Sequence, residues 1–193
     1  MIVDIRQVKN ELRAESKEYR KALSAEDKQE YDNSIEEKFF SSYVYIKTKQ
    51  VFTYVSTDIE VSTRSLIERA LAEGRRVACP RCVDGTRRME FYYITSMSDL
   101  ENGAFGVLEP NREKCELVTD FSNGVCVVPG LDFDYDGYRL GYGKGYYDRF
   151  LSGYNGFTVG LCYSECVKRR LPHGRFDRHV GLLLTERYAR RCR

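Results

Sequence analysis

The 193-residue chain has almost no charge excess: 31 Lys and Arg face 29 Asp and Glu, leaving +2. So even a balance gives the chain as a whole no reason to seek a polyanionic partner. No apolar run approaches the roughly 18 residues that a membrane-spanning helix needs. The opening stretch, MIVDIRQVKNELRAESK, is charged from its fourth residue and lacks the apolar core of a secretory signal. There are only two histidines, His173 and His179, and no linker, internal repeat or low-complexity tract. These absences argue against a membrane protein, a secreted disulfide scaffold and a disordered tail. The expectation is one domain over residues 1–193, cytoplasmic, monomeric, and long enough to bury a real core.

Cysteine is present but in no framework. The seven residues are odd in number and scattered, at 79, 82, 115, 126, 162, 166 and 192, and a chain of this length needs no staples. Cys79-Pro80-Arg81-Cys82 has CxxC spacing. A structural zinc site supplies a second CxxC or a histidine pair, whereas here the other close pair is Cys162 and Cys166. A redox CxxC opens a helix, but Arg75–Cys79 reads as a strand running into Pro80. Small buried thiols at a strand end are the favoured reading, with a zinc or redox protein as the alternative.

Ile5, Val8, Leu12, Tyr19 and Leu23 recur at helical spacing. Ser24, with Asp27 three residues on, opens a second helix striped by Tyr31, Ile35 and Phe39. From residue 50 the pattern alternates between strands and helices. Residues 50–55 are β-rich. Ser62 or Thr63 can cap a helix carrying Leu66, Ile67, Ala70 and Leu71, with Gly74 as its stop. Strands follow near Val77, over 89–94, 124–128, 157–162 and 180–185, with an irregular stretch to about 122 and a helix over 146–151. Alternation of this kind predicts an α/β fold with a mainly parallel sheet, and strands apolar on successive residues predict cover on both faces. Ligands of such sheets sit beyond the carboxyl ends of the strands.

Five of the 15 glycines fall between Gly130 and Gly145, in PGLDFDYDGYRLGYGKGYYDR. The segment follows a buried strand and leads into a helix. Gly141, Gly143 and Gly145 let the backbone approach a ligand closely, and amides there and at the helix start suit an anion, with Lys144 and Arg139 adding charge. The ligand implied is a nucleotide phosphate. The pattern is neither a Walker A loop, since Gly145 follows Lys144, nor GxGxxG. Asp148 is a hard oxygen ligand placed where magnesium would accompany phosphates. The bland alternative is a surface loop with a capping Asp148, although loops this long in compact domains are usually functional.

Three other features carry two readings each. At about 100° per residue, Lys9, Arg13 and Arg20 fall within roughly 40° of one another on the first helix. The apolar stripe flanks them on one side and Lys17 on the other. They could reach an anion held against the glycine loop, or form a solvated edge paired with Glu11 and Glu15. Glu60 could accept hydrogen bonds from a heterocycle, or merely favour a helix dipole. From Cys166 onward nine Lys or Arg face Asp177 and Glu186. That could mark a nucleic-acid-binding module, but an apolar strand lies within the stretch, and a solvated face is the better reading.

The glycine segment resembles the signature of the 5-formyltetrahydrofolate cyclo-ligase family, also called methenyltetrahydrofolate synthetases. The resemblance runs in order through Lys9-x-x-Leu12-Arg13, Glu60-Val61-x-Thr63, Phe105-Gly106-x-x-Glu109-Pro110, the glycine segment, and Leu171-Pro172…Asp177…Thr185-Glu186. It implies a three-layer α/β sandwich and ATP- and magnesium-dependent closure of 5-formyltetrahydrofolate to 5,10-methenyltetrahydrofolate. On this resemblance Lys9 and Arg13 are ATP-phosphate ligands. Arg139, Leu140, Gly141, Tyr142, Gly143, Lys144, Gly145, Tyr146 and Tyr147 form the nucleotide loop, with Lys144 nearest the transferred phosphoryl and Arg139 beside it in the chemistry. Asp148 and Asp177 are magnesium ligands. Val55, Glu60 and Tyr142–Tyr146 contact the folate. Phe176, Gly181 and Cys166 depart from the family pattern, which commonly has His, Asp and Gln there.

Overall fold

The run Val125–Val128 is apolar on successive residues because both sheet faces are covered. Val125 and Val127 enter one hydrophobic cluster, Cys126 and Val128 the other. The computed structural model describes residues 4–192, with the backbone but not the side chain of Phe105. Five helices are named here: α1 (Ile5–Ala22), α2 (Ala25–Ser41), α3 (Tyr43–Lys47), α4 (Arg64–Ala72) and α5 (Tyr146–Leu151). The main sheet contains β1 (Gln50–Thr53), β2 (Arg76–Cys82), β3 (Met89–Ile94), β4 (Glu116–Leu117), β5 (Gly124–Val128), β6 (Phe157–Leu161), β7 (Leu182–Leu184) and β8 (Ala189–Arg191). Their order is β8-β7-β6-β5-β1-β2-β3-β4. The five inner strands from β7 to β2 are parallel, and the antiparallel strands lie outside them.

One face is covered by α2, α3 and α4 through Ile35, Phe39, Tyr45, Leu66 and Ile67. The other is covered by Phe133, Tyr147, Phe150 and Leu151. This is the expected three-layer α/β sandwich. Ser24 caps α2 as its sequence announces, accepting from Asp27 N at 3.0 Å, and Gly74 ends α4 at φ +75°. Thr63 does not cap α4 with its side chain. Its hydroxyl instead donates to Tyr54 O at 2.7 Å and accepts from Ser56 N at 3.1 Å. The loop after β1 is thereby tied to itself.

Three details differ from the sequence expectation. β2 continues through Pro80, which lies opposite Phe91 on β3. The pairing of β1 with β2 reaches only Ala78, so no parallel neighbour asks Pro80 for an N–H. The stretch expected to be irregular contains a 3-10 turn (Met97–Asp99), a hairpin of Leu100–Asn102 with Leu108–Pro110, and β4. The chain also closes with β8, whose three residues are all exposed. Because β1 and β5 are parallel neighbours, the Glu60 loop and the glycine segment leave the same edge of the sheet side by side.

Candidate active site

After Gly130 the chain forms a small sheet. Asp132–Asp134 pairs antiparallel with Arg139–Leu140 and parallel with Val167–Lys168. Asp134 is fully buried, and its carboxylate accepts from Asp136 N, Tyr138 N and Leu171 N at 2.9–3.0 Å. It is a turn-forming residue, not a ligand. Gly130 is required because a methyl there would lie 2.6 Å from the Phe133 ring. Past Leu140 the chain becomes the Gly141–Gly145 loop, with Gly143 at φ +90° and Gly145 at +75°. Gly145 starts α5 with no side-chain cap, so the first amides of that helix have no side-chain acceptor.

The basic edge of α1 faces this segment rather than solvent. Arg13 Nε donates to Gly141 O at 2.8 Å, and Lys9 Nζ pairs with Asp177 Oδ2 at 3.0 Å. Arg20 reaches Gly130 O and Leu131 O at 3.0 and 2.8 Å. Glu11 and Glu15 are engaged elsewhere, by Gln7 and Lys168. Arg139, whose side chain is 6% exposed, pairs with Asp148 Oδ1 at 3.0 Å. Lys9, Arg13, Gly143 and the exposed Lys144 line one cavity of about 730 Å³ with Tyr142. Asp177 borders a second, of about 600 Å³, with Tyr138, His173 and Arg178. Partial burial pulls the Asp177 carboxyl upward, but the Gly174 amide, the Lys9 ammonium and the nearby Arg139 together hold it below the usual range.

Across the loop lies the Glu60 turn. Glu60 is buried, and its Oε2 accepts from Thr57 N and Thr57 Oγ1, both at 2.9 Å. It therefore serves its own turn and not the α4 dipole. Tyr142 is half exposed, yet burial of its hydroxyl end and then the Glu60 carboxylate push its phenol up to about 12. The same five-residue loop thus touches Arg13 through Gly141 and neighbours Glu60 through Tyr142. Tyr146 donates to Thr86 O at 3.2 Å, at the turn joining β2 and β3.

Val55, Leu140 and Tyr147 sit differently from their neighbours. The Val55 and Leu140 side chains are buried, which leaves their main chains as the parts able to meet a ligand. Tyr147 packs against both cores, its hydroxyl is buried without a partner, and burial raises its phenol well above the usual range.

For the CxxC, Cys79 is fully buried and Cys82 partly so, both thiols free. Burial pushes Cys82 up to about 11, and the Glu109 carboxylate adds to the rise, which leaves a poor nucleophile. Among the described residues no three His, Cys, Asp or Glu are grouped to hold a metal. The basic tail is partly paired: Lys168 with Glu15, and Arg187 with Glu165 and Glu186. Among the described residues no helix is long and apolar enough to cross a membrane. Of the departing positions, Cys166 is buried and Phe176 is exposed.

Residues 5–186 match the family model described as the 5-formyltetrahydrofolate cyclo-ligase family. A probable 5-formyltetrahydrofolate cyclo-ligase of Caenorhabditis elegans is 32% identical over 195 residues, covering 94% of both chains. The mouse 5-formyltetrahydrofolate cyclo-ligase is 28% identical over 95% of this chain and 96% of its own. Among solved structures, the 5,10-methenyltetrahydrofolate synthetase of Aquifex aeolicus superposes with a TM-score of 0.85 at 35% identity, over 96% of this chain and 93% of that one.

Proposed function

Because the chain belongs to the 5-formyltetrahydrofolate cyclo-ligase family, we propose that it converts 5-formyltetrahydrofolate to 5,10-methenyltetrahydrofolate with consumption of magnesium-ATP. The observation that supports this best is the double engagement of one loop. Gly141–Gly145 is held to the cationic edge of α1 on one side, and its Tyr142 meets the Glu60 turn on the other. A phosphate donor and a heterocycle bound on those two sides would share that loop as their common wall.

In this reading the formyl oxygen attacks the γ-phosphorus and ADP leaves. The second folate nitrogen then adds to the activated carbon and loses its proton, and phosphate departs with the former formyl oxygen. Such chemistry needs positioning and charge neutralisation more than a protein nucleophile. Lys9, Arg13, Arg139 and Lys144 supply positive charge, and the loop amides supply donors for phosphate oxygens. Glu60 and Tyr142 offer an acceptor and a neutral phenol to the pterin edge.

Asp148 and Asp177 fit a magnesium site. The contacts to Asp148 fall on Oδ1 and those to Asp177 on Oδ2, which leaves one oxygen of each outside these bonds. Magnesium is commonly held by one or two carboxylates together with substrate phosphates, so no larger protein cage is needed. Bound there, it would neutralise charge on the phosphates. Arg139 and Lys9, now paired with those carboxylates, would turn to phosphate oxygens.

Lys144→Ala and Asp148→Ala test the assignment. Both are expected to lose magnesium-ATP turnover while keeping the circular dichroism of the parent; Lys144→Ala also keeps its Tm, whereas Asp148→Ala melts lower because the buried Arg139 guanidinium loses its carboxylate. Full activity in both would sink these roles.

A further inference from the structure

Arg20 is the least expected of the buried residues. It is 3% exposed, lies on α1, and bonds backbone carbonyls rather than a carboxylate. Nη1 donates to Ile59 O at 3.0 Å, while Nη2 donates to Gly130 O at 3.0 Å and Leu131 O at 2.8 Å, with Cys162 Sγ at 3.8 Å. Ile59 immediately precedes Glu60, and Gly130-Leu131 opens the glycine segment. One turn earlier on α1, Ser16 donates to Asp132 Oδ1 at 2.5 Å. Burying a guanidinium is costly unless its donors are satisfied; here both terminal nitrogens find carbonyls, while Nε is buried without a hydrogen-bond partner. The planar guanidinium fork can bridge acceptors on two loops, which the single ammonium point of lysine cannot do in a fixed geometry. The Arg20 guanidinium also lies 5.1 Å from the ring of Tyr163, whose hydroxyl donates to Asp32 Oδ1 at 2.8 Å.

We propose that Arg20 is a positioning residue for the reaction: by bridging the loop that carries Glu60 to the start of the glycine segment, it fixes the spacing between the folate wall and the nucleotide wall. The proposal rests on the functional reading above for which wall is which. Phosphoryl transfer between two bound substrates is sensitive to that spacing, since a displacement near 1 Å can cost about a hundredfold in rate. Arg20 is 3% exposed and lines neither of the two cavities described above. Lys9, Arg13 and the Gly141–Gly145 loop keep their own ties when it is replaced.

The test compares wild type with Arg20→Lys by hydrogen–deuterium exchange and steady-state kinetics. Exchange of residues 57–61 and 129–132 is expected to accelerate, with α4 unchanged. The KM for 5-formyltetrahydrofolate should rise about tenfold and kcat fall about tenfold, while the KM for ATP stays within about twofold. A folded Arg20→Lys with wild-type exchange and kinetics overturns the proposal. So does a uniform rise in both KM values alongside a lowered Tm, which marks a merely structural role. If Arg20→Lys does not fold, Ser16→Ala, which loosens the start of the glycine segment from α1 at Asp132, should give the same split in smaller measure. Absence of that split also overturns the proposal. Should the wild type neither bind nor turn over the folate, the functional reading fails, while exchange in the two loops still decides whether Arg20 ties them.

Discussion

Replacing Gly143 by alanine probes the nucleotide loop with one methyl group. Gly143 has φ +90°, a region that L-residues rarely adopt, and holding a non-glycine residue there costs about 1–3 kcal/mol. The added methyl would also lie 3.3 Å from Arg13 Nη2, displacing the flexible end of a proposed phosphate ligand. Gly143 is exposed, so the loop can relax in the free protein and the strain returns only when ATP demands the native conformation. Carried entirely by binding, about 1–3 kcal/mol raises the KM for ATP roughly 5- to 150-fold, with Tm close to the parent. The control is Gly153→Ala, where φ is not positive and the nearest atom to the methyl is Phe150 O at 4.0 Å. Isothermal titration with ATP and a thermal melt on both variants suffice. Wild-type ATP affinity in Gly143→Ala would refute the argument that this loop must close on the nucleotide in its observed conformation.

Gly160→Ala should act on stability instead, because its methyl would meet the Phe133 ring at 2.4–3.0 Å; overpacking of about 1–3 kcal/mol is expected to lower Tm by several degrees. With its phenol pushed up to about 12, Tyr142 remains a neutral donor across the working range, so the KM for the folate should show no titration assignable to Tyr142 up to about pH 10, and Tyr142→Phe should leave the pH profile unchanged while raising that KM. The Asp177 carboxyl is held below its ordinary value, so its pairing contributes stability above about pH 4 that is lost as pH falls through the lowered folded-state value. Melts of wild type and Asp177→Asn should therefore converge below about pH 4, and a constant gap down to pH 2 would contradict that linkage.

The sheet was legible because its strands carry their burial in their composition. Val125–Val128 and Leu182–Leu184 are apolar on successive residues, and α2 and α4 announce themselves through Ser24, Gly74 and a helical stripe. The first helix was legible as a helix but not in its packing. Its apolar stripe begins at Ile5, which is 58% exposed, whereas Ser16 and Arg20 are the buried residues. The reason is that α1 lies against the glycine segment, whose carbonyls and Asp132 present a polar surface, so no hydrophobic period reports the contact. β8 was unreadable because Ala189–Arg191 is an exposed edge strand without an apolar face.

The candidate site was legible in its parts. Glycine spacing, Lys144 and Asp148 marked the loop, and the shared angular sector on α1 marked Lys9, Arg13 and Arg20. What the pattern could not supply was adjacency. The parallel pairing of β1 with β5 places the Glu60 turn beside Tyr142, and sequence separation hides such a contact. Asp132 and Asp134 lie within the glycine segment, yet both are buried in a strand: Asp132 accepts from Ser16 on α1, and Asp134 builds the turn. The Asp134-x-x-Gly137 turn spacing was the available signal.

The most direct test of the account is the absorbance of the methenyl-folate band after mixing the purified protein with 5-formyltetrahydrofolate and magnesium-ATP. An increase that requires ATP, with one ADP formed per methenyl product, is the result the account expects. A folded protein that binds ATP yet gives no increase would contradict it, leaving the Gly141–Gly145 loop as a nucleotide site serving a different reaction.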